Sequence, residues 1–143
     1  MSRFVALTML VLVAGCGSSS DNKTTSSSTP TAPAADGKLT VRMSEFKFDP
    51  SDVSVRARKV TISAPNDGSV AHELVLLKTD ADPAHLPMKG GEVDESSSVG
   101  EIADVAAGQT KSHTFTLAPG KYAMVCNLPG HYAGGMYGSL TVQ

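Results

Sequence analysis

Hydrophobic and polar residues alternate in short runs through the C-terminal three quarters of the chain. Such a period of two is typical of β-strands that bury one face. Residues 70–78, VAHELVLLK, are instead apolar on both faces apart from His72 and Glu73, as expected of a central strand. The alternating runs are residues 38–48, 52–57, 59–65, 110–117, 120–126 and 136–142.

Turn-forming residues separate these runs. Asn66-Asp67-Gly68, Ala107-Gly108 and Pro119-Gly120 are typical turn sequences. Short strands with frequent turns predict an all-β fold, a Greek-key β-sandwich of about seven to eight strands. Residues 79–100 interrupt this succession of short strands and turns and form a long, polar, glycine-containing insertion.

The N-terminal region has a different composition. A basic start is followed by a short apolar run, too short to span a bilayer, that ends in Val13-Ala14-Gly15-Cys16. This ending resembles the lipobox of bacterial lipoproteins, so we expect residues 1–15 to be a signal peptide and Cys16 to be lipidated. The alternatives are an ordinary signal peptide cut nearby and a cytosolic protein with an apolar leader.

Residues 16–37 join the predicted lipid anchor to the predicted domain, residues 38–143. The segment is rich in Ser, Thr and Pro and has no large apolar residue, which predicts a disordered tether. We therefore expect the protein in the cell envelope, anchored to a membrane on its extracytoplasmic side. The net charge of −2 argues against nucleic acid as a partner.

Residues 126–136, CNLPGHYAGGM, hold the candidate chemistry. If Cys16 is lipidated, Cys126 is the only remaining thiol of the two cysteines. A buried core thiol is the plain alternative. However, His131 and Met136 follow at intervals of five residues, and His72 interrupts an apolar strand, where an unpaired imidazole is costly. One thiolate, two imidazoles and a thioether are the donor set of copper electron-transfer sites, whereas zinc rarely takes methionine.

Three stretches, FKFDPSDVSV, VTISAPNDGSVAHELVL and PGKYAMVCNLPGHYAGGMYGSLTV, resemble the small blue copper proteins, the cupredoxins. The loop spacing is closer to that of sulfocyanin and rusticyanin than to that of plastocyanin. The resemblance implies that His72, Cys126 and His131 are equatorial ligands of one type 1 copper ion and Met136 its axial ligand. It also implies that the edge of His131 is exposed as the port for electrons. The expected members of an apolar patch around it are Leu128, Pro129, Tyr132, Ala133 and Met136.

Four further residues are expected close to the ligands. Asn127, Pro129 and Gly130 form the turn after Cys126 and are expected to shape its loop. Glu73 stands where many cupredoxins have Asn. Its carboxylate either accepts backbone N–H groups and joins the loops, or faces solvent on the opposite side of the strand from His72.

The predicted function is that of a one-electron carrier at the membrane surface, not an enzyme, because four protein ligands leave no open position on the metal. The alternative is copper delivery or copper sensing in the cell envelope. We expect a monomer that meets redox proteins, such as cytochromes or terminal oxidases, at the patch around His131. His85 and Met88 form either a second, weak copper contact or a polar loop, and His113 is expected inside the fold or at its edge.

Overall fold

A computed structural model of the chain describes residues 36–56 and 58–143. The predicted signal peptide, Cys16 and nearly all of the predicted tether lie outside the described residues. Gly37 is buried and its carbonyl accepts the Thr61 N–H (2.7 Å), so the fold includes the residue before the expected boundary at Lys38. Within the described part of the chain, no helix is long and apolar enough to cross a membrane.

The described residues form twelve strands and two short 3-10 turns, Pro83–His85 and Glu95–Ser97. The strands are β1 (Lys38–Thr40), β2 (Arg42–Ser44), β3 (Lys47–Asp49), β4 (Asp52–Val55), β5 (Lys59–Pro65), β6 (His72–Lys78), β7 (Met88–Lys89), β8 (Glu92–Val93), β9 (Ser98–Val105), β10 (Thr110–Thr116), β11 (Gly120–Val125) and β12 (Tyr137–Val142).

Eight of these strands build two sheets. One sheet has the order β1-β5-β10 and the other has the order β4-β12-β11-β6-β9. Strands β1 and β5 pair in parallel, as do β4 and β12, and the remaining pairs are antiparallel. Two small hairpins, β2-β3 and β7-β8, complete the fold. The prediction of an all-β sandwich is therefore confirmed.

The main core lies between the two sheets. In β5 every second residue is buried, with Val60, Ile62 and Ala64 fully enclosed, as the period of two predicts. Leu74 and Leu76 of β6 face them from the larger sheet and belong to the same apolar cluster. Removal of this apolar surface from water is the main stabilising term of the fold.

The outer face of the larger sheet is also covered. Residues 79–97, here named the cover segment, connect β6 to β9 and place Leu86 and Val93 against Val75 and Leu77 of β6. Strand β6 is therefore buried on both faces, which explains why its sequence is apolar on both faces.

Strand β9 has no counterpart among the strands predicted from the sequence, and its first three residues fall in the expected insertion, residues 79–100. It is an edge strand, and only Ile102 and Val105 are buried along it. The pairing with β6 shifts between His72↔Val105 and Leu74↔Ile102, where Asp104 has φ 52°. This bulge interrupts the period of two that reveals a strand in a sequence.

Candidate metal centre

The loop of residues 126–136 connects β11 to β12 and is closed by its own backbone. The Cys126 N–H donates to the Met136 carbonyl and the Met136 N–H donates to the His131 carbonyl, both at 3.1 Å. The His131 N–H donates to the Leu128 carbonyl (3.0 Å). Gly130 turns the chain with φ 82°, a conformation that favours glycine. These bonds join the ends of the loop and hold His131 over Cys126.

Three predicted ligands meet at this end of the sandwich. His72 starts β6 and Cys126 follows the end of β11, and these two strands are paired antiparallel. His131 Nδ1 lies 3.2 Å from His72 Nδ1 and 3.2 Å from Cys126 Sγ. The three donor atoms lie within 4.8 Å of one another, with His72 and Cys126 fully buried and His131 partly buried.

This arrangement fits a metal ion. Two nitrogens that bind one ion at bond lengths of about 2.0–2.1 Å lie roughly 3.5 Å apart. The distance between the Nδ1 atoms of His72 and His131, 3.2 Å, is close to this value. A histidine buried only for packing would be expected to have both ring nitrogens bonded. The Nδ1 of His72 faces only the other donors, as a ligand atom would, while its buried Nε2 has no partner in the described part of the chain and would gain none from an ion at Nδ1. Two imidazoles and one thiol that converge on one position are a donor set that suits copper.

Burial sets the protonation of the donors. Burial raises the pKa of the Cys126 thiol above its usual value, and the negative charge of Glu73 adds to this, although N–H groups of Glu73 and Leu128 oppose it. Burial, and then the neighbouring His131, lower the pKa of His72. His72 is therefore neutral and ready to bind at neutral pH, while the thiol holds a proton that an incoming metal displaces.

Met136 is fully buried in the same apolar cluster as Cys126. Its backbone bonds to both Cys126 and His131 place it at the close of the loop, immediately before β12. Its role as axial ligand stays a prediction. Because it is buried, Met136 does not belong to the exposed patch of which it was also an expected member.

Glu73 lies on the outer face of β6, opposite His72, but it does not simply face solvent. Its carboxylate accepts the Asn127 N–H (3.0 Å), and its own N–H points to Cys126 Sγ (3.5 Å). Burial raises the pKa of Glu73, while the bond from Asn127 opposes that rise. Of the two alternatives, the structure shows the carboxylate that joins β6 to the 126–136 loop.

The other expected neighbours differ in exposure. Asn127 is buried and its side chain bonds the cover segment, whereas Pro129 and Gly130 lie exposed at the tip of the loop. In the expected patch, Ala133 is exposed, and Leu128 and Tyr132 are half-buried.

The remaining histidines stand apart from this centre. His85 is exposed and pairs with Asp82 (3.1 Å). His113 is exposed on the edge strand β10, against the ring of Phe115. Among the described His, Cys, Asp and Glu residues, only His72, Cys126 and His131 form a group that could hold a metal.

Two residues at the site were missed by the sequence analysis, because residues 38–48 read as one strand whereas the chain turns at Glu45 and Phe46. Phe46 is 42% exposed and its ring lies 5.2 Å from that of His131, edge to face. Glu45 accepts N–H groups of Ser69 and Val70, just before His72. The Ser69 N–H is the main reason that the pKa of Glu45 falls to about 2. The only sequence signal was an aromatic residue in a polar turn.

Comparisons with known proteins agree with this geometry. The family model described as copper binding proteins, plastocyanin/azurin family, matches residues 35–143. The chain is 34% identical over 116 residues to the copper-resistant cuproprotein CopI of Rubrivivax gelatinosus, an alignment that covers 77% of this chain and 70% of that protein.

Two solved structures are similar in fold. One is sodium-dithionite-reduced auracyanin from the photosynthetic bacterium Roseiflexus castenholzii (TM-score 0.62, 25% identity, 77% of this chain and 99% of that chain). The other is auracyanin A, a "blue" copper protein of Chloroflexus aurantiacus (TM-score 0.56, 29% identity, 75% of this chain and 100% of that chain). Since the family model spans the whole sandwich and three copper donors meet at its end, this chain belongs to the plastocyanin/azurin family of copper-binding proteins, the cupredoxins.

Proposed function

We propose that this protein carries single electrons through one type 1 copper ion at the extracytoplasmic surface of a membrane. The observation that carries the proposal is the convergence of two Nδ1 atoms and one Sγ, with His72 and Cys126 closed off from solvent and His131 only partly buried. When bound, copper supplies a one-electron couple between Cu(I) and Cu(II).

The chain's own contribution is to hold the donors still. His72 is fixed on a strand, and Cys126, His131 and Met136 are joined by backbone hydrogen bonds across one short loop. Donors held in this way need little movement when the charge of the ion changes. With Met136 as the fourth donor, no position is left for a substrate, so we propose an electron carrier and not an enzyme.

The partly exposed His131 is the proposed port for electrons. Exposed Phe46 and Ala133 and half-buried Leu128 add apolar surface to this end of the molecule. A redox protein, such as a cytochrome or a terminal oxidase, would dock here in the monomer. Lipidation of Cys16 and a tether over residues 16–37 would keep the domain near such membrane partners.

Copper handling in the cell envelope, by delivery, sensing or resistance, is the second candidate. The observation that favours it is the 34% identity to a protein named as a copper-resistant cuproprotein. It uses the same donor set but requires that the ion be released or exchanged.

A visible spectrum and a redox titration of the copper-loaded full chain separate these two functions. For the electron carrier we expect intense thiolate-to-copper absorption and a reversible one-electron wave, both lost in Cys126→Ser. A colourless Cu(I) protein that passes its metal readily to a chelator would contradict the carrier and support copper handling.

A further inference from the structure

Two of the predicted ligands in the 126–136 loop, Cys126 and His131, are each followed by a residue whose side chain bonds the cover segment. Asn127 follows Cys126 and is 7% exposed. Tyr132 follows His131 and is half-buried. Because each lies one residue from a ligand, whatever fixes these two side chains also restrains the ligands.

The Asn127 amide bonds the cover segment through both its oxygen and its nitrogen. Its Oδ1 accepts the Val93 N–H (2.7 Å), and its Nδ2 donates to the Val93 carbonyl (3.1 Å) and to Glu95 Oε1 (2.7 Å). Both backbone groups of one residue in β8 are thus bound by a single side chain of the loop. Breaking this contact would leave buried polar groups without partners, which costs more than a solvent-exposed bond.

The Tyr132 hydroxyl forms a second attachment. It donates to the carbonyl of Pro83, the first residue of the 3-10 turn Pro83–His85 (2.8 Å), and accepts the N–H of Leu86, the residue after that turn (2.9 Å). The cover segment is itself fixed to the sheet, because Leu86 and Val93 pack in the outer apolar cluster. The loop is therefore tied to the sheet at two points outside the ligands.

We propose that the cover segment is an outer brace of the metal centre, and that Asn127 and Tyr132 are positioning residues through which it sets how firmly copper is held. The brace limits how far Cys126 and His131 can separate, so it slows loss of the ion. This inference rests on the copper centre of the proposed function and holds for electron transfer and for copper handling alike.

The test compares two brace variants with matched controls. Tyr132→Phe removes only the hydroxyl, and its control Tyr122→Phe removes a hydroxyl bonded to the Ala118 carbonyl (2.8 Å). Tyr122 lies four strand residues, roughly 13 Å, before Cys126. Glu95→Ala removes the carboxylate that accepts a hydrogen bond from Asn127 Nδ2. Its control, Glu92→Ala, removes the same charge, but the Glu92 side chain makes no hydrogen bond in the described part of the chain.

Two measurements are made on each full-length variant. The first is the rate of copper transfer from the Cu(I)-loaded protein to excess chelator, which we expect to rise about 3–10-fold in both brace variants and less than about twofold in the controls. The second is hydrogen exchange in the metal-free protein, which we expect to speed up at residues 128–135 in the brace variants only.

The inference is overturned if both brace variants release copper at the rate of their controls and residues 128–135 exchange as in the unmodified protein. Should Tyr132→Phe fail to fold, Glu95→Ala decides the matter, because that side chain is exposed. A redox titration of the unmodified protein tests the electron-carrier function separately, so the two failures are distinguishable.

Discussion

At the scale of single residues, His72 and Glu73 show how one step along a strand changes what a side chain can do. His72 is fully buried, with its Nδ1 directed at the other donors. Glu73 faces the outer side and accepts the Asn127 N–H. The first supplies a metal donor and the second connects the strand to the loop of Cys126.

The role proposed for Met136 can be tested at the same scale. We expect Met136→Leu to keep the copper and to raise its reduction potential, because an apolar axial neighbour stabilises Cu(II) less than a thioether does. A rise of about 60 mV corresponds to a tenfold increase in the affinity for Cu(I) relative to the affinity for Cu(II). Cyclic voltammetry of the loaded protein measures it.

Met124→Leu is the matched control, since Met124 is equally buried in the same cluster but is not in the 126–136 loop. An unchanged potential in Met136→Leu, or the same shift in both variants, would contradict an axial role.

At the scale of elements, the turn between β2 and β3 and the loop before β6 hold each other. The Asn66 side chain donates to the carbonyls of Val70 and Val105, both at 2.8 Å, and accepts the Gly68 N–H (2.9 Å). Glu45 accepts N–H groups of Ser69 and Val70 from the other side. The approach to His72 is thus fixed by side chains and not by regular strand pairing.

This contact predicts a pH dependence. Because the N–H groups hold the pKa of Glu45 at about 2, below its ordinary 4.5, the carboxylate stabilises the fold above pH 4.5, and this stabilisation is lost as pH falls toward 2. We therefore measure Tm of the metal-free protein between pH 4.5 and about 2. The Tm of the unmodified protein should fall further over this range than the Tm of Glu45→Gln.

Near neutral pH, Glu45→Gln should lower Tm by a few degrees. The control is Glu92→Gln, whose side chain makes no hydrogen bond in the described part of the chain and which should leave Tm unchanged. Parallel Tm curves for the unmodified protein and Glu45→Gln would show that the contact does not stabilise the fold.

At the scale of the whole molecule, the metal centre depends on strand order. His72 and His131 are 59 residues apart in sequence and meet because β6 and β11 are neighbours in the larger sheet. The core between the sheets encloses Cys126, and that same burial raises the pKa of its thiol. Fold and copper chemistry are therefore coupled.

The coupling predicts how copper affinity varies with pH. Binding must release the Cys126 proton, whereas His72, with its lowered pKa, is already neutral. Between about pH 7 and 8 we expect the apparent Cu(II) affinity to rise about tenfold per unit, one proton being released for each ion bound.

Competition with a chelator of known pH dependence measures this affinity. Lowering the pH weakens binding to this site, whereas binding to a site whose thiol is already ionised would not change over this range. An affinity that is constant over this range would show that Cys126 carries no proton in the metal-free protein.

The sequence by itself determined the fold class and indicated the candidate donors. Alternation along the strands placed His72 and Glu73 on opposite faces, and the spacing in the 126–136 loop marked Cys126, His131 and Met136 as candidates. These signals are local, because the period of a strand and the side chains within a short loop do not depend on distant residues.

Only the tertiary structure decided what surrounds those donors. Phe46 lies beside His131, Met136 is buried and not exposed, and the cover segment binds Asn127 and Tyr132. Each of these contacts joins residues far apart in the chain. Whether a face meets solvent or another segment depends on packing between elements, and no local pattern of apolar and polar residues records it.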